Sequence, residues 1–298
     1  MRDFGRVITA MITPFREDGS LDLDGAKALA GWLVENGSDG VVVAGTTGES
    51  PTLSHDEKLA LFRGVKEAVG DRAAVIAGTG SNNTEASVGL TREAEACGVD
   101  GIMLVAPYYN KPSQEGLYQH FAACAKATRL PVMLYNIPGR TGVNLLPETV
   151  LRLAQLENVV ALKEASGNLD QVSELLRQLP PHFRVYSGDD SMTLPIVALG
   201  GYGVVSVASH LVGLEIQAMI RALVQGRLAE AQRVHLKLFP LFKALFLAPN
   251  PVPVKAALTL LGQPAGKPRL PLVGLSEKEE EQLKRVMEEM DLLPHQPS

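Results

Sequence analysis

Gly40-Val41-Val42-Val43-Ala44 is an apolar run that leads directly into the polar stretch Gly45-Thr46-Thr47-Gly48-Glu49-Ser50. The same change recurs where Ile102–Ala106 meets Pro107-Tyr108-Tyr109-Asn110, where Val132–Leu134 meets Tyr135, and where Val159–Leu162 meets Lys163. Runs that are apolar throughout are typical of strands buried on both faces. Polar side chains gathered at one end of a set of parallel strands indicate an enzyme site.

Strand-like runs alternate with amphipathic segments along most of the chain. The predicted strands are 7–12, 41–44, 73–77, 101–106, 131–135, 159–163, 183–187 and 203–208. The predicted helices are 22–37, 54–70, 83–98, 114–128, 147–156, 168–179, 190–199 and 211–224, and Ser54, Ser113 and either Asn83 or Thr84 are expected to cap three of them. Eight strand-then-helix units in about 225 residues predict an α/β fold, a (β/α)8 TIM barrel, which usually spans roughly 250 residues. A doubly wound open sheet is the alternative, but Thr13-Pro14-Phe15 stands where its GxGxxG turn is expected.

After the eighth predicted helix the chain has no further strand-like run. Segments 228–247, 254–261 and 276–290 are predicted helices, separated by proline-rich breaks at 249–253 and 264–271. We therefore predict a catalytic barrel over residues 1–226 and a C-terminal helical domain over 227–298, with 292–298 as a loose tail.

Composition favours a soluble globular protein over a disordered or membrane one. The 298 residues are 46% hydrophobic and 20% charged, with a net charge of −5 and a pI near 5.7. This acidic balance argues against nucleic acid as a partner, and no apolar stretch is long enough to cross a membrane. The N-terminus lacks a signal-peptide profile, and Cys97 and Cys124 are expected to be free thiols, so we predict a cytoplasmic location. The scattered histidines form no metal motif, and neither a metal nor another cofactor is expected.

Lys163 is the candidate nucleophile. A lysine at the C-terminal end of a buried strand can lose its hydration, which disfavours the ammonium form and leaves a neutral amine that attacks carbonyl groups. Taken alone, such a lysine more often reaches solvent. The polar ends of the neighbouring strands favour the reactive interpretation.

Two further stretches carry groups that suit a keto acid. In 45–50, backbone N–H groups and two threonine hydroxyls can hold a carboxylate or a phosphate, although an ordinary turn has a similar composition. In 135–142, the Tyr135 phenol can move a proton and the Arg140 guanidinium can hold a carboxylate, unless Arg140 is only a surface residue. Asp189 and Asp190 occupy a loop that binds phosphate in many barrels, so a phosphosugar substrate is disfavoured.

Together these motifs resemble the dihydrodipicolinate synthase / N-acetylneuraminate lyase family, and within it the synthase branch. The similarity extends over about residues 4–270 and rests on 45–50, 107–112, 135–142, 163–165, 187–190 and 250–255. The resemblance implies a class I aldolase-type barrel that needs no cofactor. It also implies condensation of pyruvate with L-aspartate 4-semialdehyde to 4-hydroxy-tetrahydrodipicolinate, on the diaminopimelate route to lysine.

The resemblance assigns catalytic roles to four positions. Lys163 would form an imine with the pyruvate ketone, and Tyr135 would be the general acid/base. Thr46 and Tyr109 would complete a proton relay with Tyr135. In the family the tyrosine that matches Tyr109 enters from a neighbouring subunit, which implies a dimer at least and usually a tetramer built as a dimer of dimers.

Four more positions match substrate-binding residues of the family. Thr47 would hold the pyruvate carboxylate, and Arg140 would hold the carboxylate of aspartate semialdehyde at the site entrance. Gly188 and Val205 would line the pyruvate pocket, and relatives often carry isoleucine at the second position.

Lysine-inhibited relatives bind lysine in a pocket at the dimer interface, and this chain departs from their pattern. Sensitive members carry an acid at the position of Ala86 and a histidine at that of Lys58. Without the acid, the effector's ammonium group loses a partner. The positive charge of Lys58 adds repulsion. We hypothesise that lysine inhibits this protein weakly or not at all. The positions that match the pocket are Ser50, Pro51, His55, Lys58, Asn82, Ala86 and Tyr108.

Two other functions compete with the synthase. One is a Schiff-base aldolase for a larger 2-keto acid, such as N-acetylneuraminate, a 2-keto-3-deoxy sugar acid or 4-hydroxy-2-oxoglutarate; Arg140 together with Tyr109 favours the synthase, because sugar-acid lyases usually lack this pair. The other is a non-catalytic metabolite-binding barrel. The intact set of Lys163, Tyr135, Thr46 and Tyr109 argues against it.

Overall fold

Eight parallel strands hydrogen-bond in chain order and close into a barrel in the computed structural model, which describes residues 3–293. Every strand boundary lies within two residues of the predicted one. The first and last strands pair with each other, so the sheet has no open edge and the predicted (β/α)8 TIM barrel is confirmed. The strands are β1 (Val7–Ala10), β2 (Gly40–Val43), β3 (Ala74–Gly78), β4 (Gly101–Val105), β5 (Val132–Asn136), β6 (Val159–Glu164), β7 (Arg184–Ser187) and β8 (Gly203–Ser206).

Helices separate the strands as expected, with two short additions, the 3₁₀ turn Ser50–Thr52 and the helix Pro138–Thr141. The helix Pro138–Thr141 was not predicted, because a single turn shows no hydrophobic periodicity; Pro138 begins it, and Gly142, with φ +75°, ends it. The helix predicted over 190–199 begins as a 3₁₀ turn at Asp190–Met192. The helices are α1 (Leu23–Glu35), α2 (His55–Val69), α3 (Thr84–Ala96), α4 (Gln114–Ala125), α5 (Pro138–Thr141), α6 (Pro147–Leu153), α7 (Leu169–Gln178), α8 (Thr193–Ala198), α9 (Ser209–Val224), α10 (Leu228–Ala244), α11 (Val252–Leu260) and α12 (Glu277–Glu289).

The predicted caps are confirmed, and the structure resolves the ambiguous one. The Ser54 hydroxyl accepts from the Glu57 N–H while the Glu57 carboxylate accepts from the Ser54 N–H, a reciprocal capping box at the start of α2. The side chain of Asn83, rather than that of Thr84, caps α3, and Ser113 caps α4.

Alternating side chains along each strand create an inner and an outer core. On β5, Met133 and Tyr135 belong to the cluster inside the barrel, whereas Leu134 belongs to the cluster between the strands and the helices. On β6, Ala161 and Leu162 divide in the same way. Both strands therefore end in one inward-facing residue followed by one outward-facing residue, and this alternation organises the site described below.

The C-terminal helices pack onto the barrel instead of standing apart from it. Leu241, Leu258 and Leu283 lie in the same hydrophobic cluster as Leu29 and Phe62 of the barrel helices. The proposed division into two domains at residue 226 stays a prediction. The tail predicted over 292–298 lies, beyond residue 293, outside the described residues. Within residues 3–293, no helix is both long and apolar enough to span a bilayer.

Candidate active site

Lys163 lies near the end of β6 with its Nζ against an aromatic ring. Only 5% of the residue is exposed, and Nζ is 4.0 Å from the centroid of the Tyr135 ring. Loss of hydration lowers the pKa of Lys163 to about 7; the Asp190 carboxylate acts in the opposite direction, and the Arg140 charge lowers the pKa further. At neutral pH much of this side chain is therefore the neutral amine that Schiff-base formation requires.

Tyr135 is the cross-strand neighbour of Lys163, and its phenol is almost fully buried. Burial raises the pKa of Tyr135 to about 12, although the Arg140 charge and a hydrogen bond with the Thr46 side chain act to lower it. A phenol that stays protonated at neutral pH can donate a proton and recover it through a neighbouring hydroxyl. The structure thus brings together three of the four predicted catalytic residues.

A cavity of about 500 Å3 opens beside these groups. Thr46, Tyr135 and Arg140 contribute to its wall, and Lys58 and Tyr108 line it as well. Arg140 is carried by α5 and is exposed, so its guanidinium is available to a ligand in the cavity. A cation placed there suits a carboxylate-bearing substrate.

The loop after β2 is held from the far end of the chain. The Asn250 side-chain N–H donates to the Thr47 hydroxyl oxygen over 2.9 Å, and both residues are buried. Because that oxygen accepts from Asn250, the Thr47 hydroxyl proton remains available to an incoming carboxylate. Sequence reasoning missed Asn250, although residues 250–255 are among the motifs that carry the family resemblance.

A buried ion pair fixes the same loop. Glu49 and Lys255 are 2% and 1% exposed, and a carboxylate oxygen of Glu49 lies 2.6 Å from the Lys255 Nζ. The other carboxylate oxygen accepts from the Arg269 backbone N–H. Glu49 has φ +54°, a left-handed conformation that few residues with side chains adopt, so the ion pair holds a strained turn in place. Sequence reasoning did not find this pair, since nothing in the pattern links positions so far apart.

Asp190 is a buried carboxylate that belongs to the site but was not predicted to. It accepts hydrogen bonds from the Ser206 hydroxyl and from the N–H groups of Val207 and Ala208. Burial raises the pKa of Asp190 to about 6 despite these donors. Its negative charge is the one that opposes the desolvation of Lys163.

The two predicted pocket residues lie on the barrel's interior side. A Cβ at Gly188 would come 2.8 Å from the Ala165 Cβ and 3.1 Å from the Lys163 Cγ. Any larger residue at this position would therefore displace the Lys163 side chain. Val205 on β8 is buried in the inner cluster with Tyr135.

Tyr109 is not placed with the other predicted catalytic residues of its own chain. It is 88% exposed and has φ +72°, a conformation in which a bulky side chain is strained.

Of the positions that match the lysine pocket, Ser50, Pro51, Lys58 and Tyr108 line the cavity, whereas His55 pairs with Glu93. Within residues 3–293, no group of three or more His, Cys, Asp or Glu side chains is arranged to hold a metal ion.

Fold and site together define a lyase of the Schiff-base aldolase class: a (β/α)8 barrel with a desolvated lysine and a buried phenol beside an open cavity. A family model described as "Dihydrodipicolinate synthetase family" matches residues 3–290, so the chain belongs to that family and the predicted family is confirmed.

Similar proteins agree with this assignment over their full lengths. A 4-hydroxy-tetrahydrodipicolinate synthase of Moorella thermoacetica is 63% identical over 290 residues, covering 97% of this chain and 99% of that protein. One from Thermosynechococcus vestitus is 62% identical over 294 residues, covering 98% and 99%. The crystal structure of DHDPS from Cyanidioschyzon merolae with lysine bound matches with a TM-score of 0.96 and 53% identity, covering 97% of this chain and 99% of that one.

Proposed function

We propose that this protein is a lyase that condenses pyruvate with L-aspartate 4-semialdehyde to 4-hydroxy-tetrahydrodipicolinate, in the diaminopimelate route to lysine. The observation that carries the proposal is the position of Lys163. Its Nζ is shielded from water, has a pKa lowered to about 7 by burial, and contacts the Tyr135 ring. The relatives named above support the choice of substrates.

The reaction begins with covalent capture of pyruvate. The Lys163 amine adds to the ketone, and loss of one water gives the imine. A methyl proton of the protonated imine then leaves; its C–H electron pair forms the C=C bond and the C=N π pair moves onto the nitrogen, which gives the enamine. Tyr135, hydrogen-bonded with Thr46, delivers and removes protons at these steps.

The second substrate completes the product and frees the lysine. The enamine carbon attacks the aldehyde of aspartate semialdehyde, which forms a C–C bond and regenerates an imine at Lys163. The substrate's own amine then attacks this imine carbon, closes the ring and displaces the Lys163 amine. The water lost during imine formation is the only one released.

We assign the substrate-binding groups from their placement. Thr47, oriented by Asn250, holds the pyruvate carboxylate, and Gly188 and Val205 leave room for the methyl and keto groups. Arg140, exposed in the cavity wall, holds the carboxylate of aspartate semialdehyde.

Two assays test this function. A coupled assay with pyruvate, aspartate semialdehyde and a downstream reductase should show turnover; no turnover there, combined with cleavage of a sugar acid, would favour the larger-keto-acid aldolase. Borohydride reduction with pyruvate should add mass at Lys163, and its absence would reject every Schiff-base enzyme and leave the non-catalytic barrel. Lys163→Ala should abolish trapping, whereas Arg140→Ala should keep trapping and weaken use of the second substrate.

We propose that the protein works as a homotetramer in the cytoplasm. The exposure of Tyr109, together with its strained backbone conformation, supports its entry into a neighbouring subunit's site. Exposed apolar side chains also occur at α7, α8 and α10, and α8 contacts both of the other helices. They are Leu169, Leu199, Leu236 and Phe239. Exposed apolar side chains on elements that do not carry Tyr109 support a second subunit contact, as a dimer of dimers requires.

We further propose that lysine inhibits this protein weakly or not at all. Lys58 is half-buried in the cavity wall, where desolvation lowers its pKa, and Ala86 on α3 offers no carboxylate. A bound lysine ammonium would lack an acidic partner at that position. Half-inhibition by submillimolar lysine in the coupled assay would contradict the hypothesis.

A further inference from the structure

The outward-facing ends of β5 and β6 carry a second pair of polar residues behind the catalytic pair. Tyr135 is paired in register with Lys163, and the next residues, Asn136 and Glu164, are paired in the same way. Asn136 is fully buried and Glu164 is 2% exposed. Since side chains alternate along a strand, the pair Asn136–Glu164 faces the helical layer and not the cavity.

The Glu164 carboxylate is held by neutral donors alone. The Ser166 backbone N–H donates to it over 2.7 Å, and the side-chain N–H groups of Asn136 and Gln171 donate over 3.1 to 3.2 Å. Among residues 3–293, no lysine, arginine or histidine lies within ion-pair distance of Glu164. Burying an unpaired carboxylate is costly, so its retention needs a reason beyond packing.

The network around Glu164 reaches the segment that carries Arg140. The Asn136 side-chain carbonyl accepts from the Leu145 backbone N–H over 2.9 Å, and its N–H also donates to the Asn144 side chain over 2.8 Å. Asn144 in turn donates to the Gln171 side-chain carbonyl over 2.8 Å. The chain between strand residue Asn136 and Leu145 is therefore tied down at both ends, and α5 with Arg140 lies between them.

We propose that Glu164 is a positioning residue for Arg140. Its carboxylate fixes the orientation of the Asn136 amide, so that the amide carbonyl faces the Leu145 N–H. The segment 137–145 is thereby held in the conformation that keeps Arg140 at the cavity. A glutamine at position 164 would point its own N–H group at the N–H groups of Asn136 and Gln171. Two donors would then face each other, and the Asn136 amide would lose its fixed orientation. The role of Arg140 rests on the proposed function, but the effect of Glu164 on the loop does not.

The experiment compares Glu164→Gln with Glu95→Gln as a matched control. Glu95, on α3, likewise accepts from neutral donors, the Thr128 hydroxyl and the Arg129 N–H, but it shares no hydrogen bond with the Glu164 network among the described residues. In Glu164→Gln we expect faster hydrogen exchange at the Leu145 amide and a rise in KM for aspartate semialdehyde of roughly ten- to a hundredfold, with borohydride trapping of pyruvate retained. Gln171→Leu, which removes one donor to Glu164, should change both quantities in the same direction by less.

Three outcomes would overturn the inference. They are unchanged exchange at Leu145, equal losses of pyruvate trapping and of aspartate semialdehyde use, or the same KM change in Glu95→Gln. If the wild-type protein does not turn over aspartate semialdehyde, the proposed function fails, whereas exchange at Leu145 still decides whether Glu164 holds the loop.

Discussion

At the scale of single residues, the reactivity of Lys163 comes first from its burial and then from the charges of two neighbours. Desolvation favours the neutral amine, a positive charge from Arg140 adds to that effect, and a negative charge from Asp190 opposes it. Burial and two charged groups, from the units that follow β5 and β7, thus set the protonation equilibrium of Lys163.

The pH dependence of pyruvate trapping tests this balance. The neutral form of Lys163 grows as pH rises through about 7, so the rate of trapping should rise across the same range and level off above it. Asp190→Asn removes the charge that favours the ammonium form, so the midpoint should move to lower pH. Arg140→Ala removes the charge that disfavours it, so the midpoint should move to higher pH. Shifts of the same sign in both variants would contradict this account.

At the scale of elements, the loops that follow the strands are set by distant segments. The stretch 45–50 is held by Asn250 and Lys255, which lie just before and within α11. The C-terminal helices therefore shape the substrate end of the barrel and do more than cover its side.

The Glu49–Lys255 pair gives a stability prediction at this scale. Lys255→Met should destabilise the fold by about 3–5 kcal/mol, because it leaves the Glu49 carboxylate buried without its partner. The double variant Glu49→Gln/Lys255→Met should lose less than the sum of the two single variants. Denaturant unfolding of the four proteins measures this, and additive losses would show that the pair is not coupled.

At the scale of the whole molecule, the described chain leaves Tyr109, the fourth predicted catalytic residue, outside its own site. Tyr109 projects into solvent while Tyr135 and Thr46 form the inner part of the proposed relay. If Tyr109 serves a neighbour, a single subunit is incomplete as an enzyme.

Mixing two inactive variants shows whether Tyr109 acts in a neighbouring subunit's site or in the site of its own chain. Lys163→Ala lacks the nucleophile and Tyr109→Phe lacks the relay hydroxyl, so each should be nearly inactive alone. In a one-to-one mixture after subunit exchange, a hybrid dimer would hold one intact site, and activity should return to about a quarter of the wild-type value. No recovery, in a mixture shown by mass spectrometry to contain hybrids, would place Tyr109 in the site of its own chain.

Local patterns along the chain determined the eight strands, the caps at Ser54 and Ser113, and the family, because these depend on residues that are neighbours in sequence. The same patterns predicted Lys163 and Tyr135 as candidate catalytic residues, since parallel strands bring their carboxyl ends to one rim, and the family resemblance added Thr46. Only the tertiary structure revealed the depth of Lys163's burial, the Glu49–Lys255 pair and the contact of Asn250 with Thr47. Desolvation and long-range hydrogen bonds depend on which distant segments pack together, and local sequence patterns do not determine that packing.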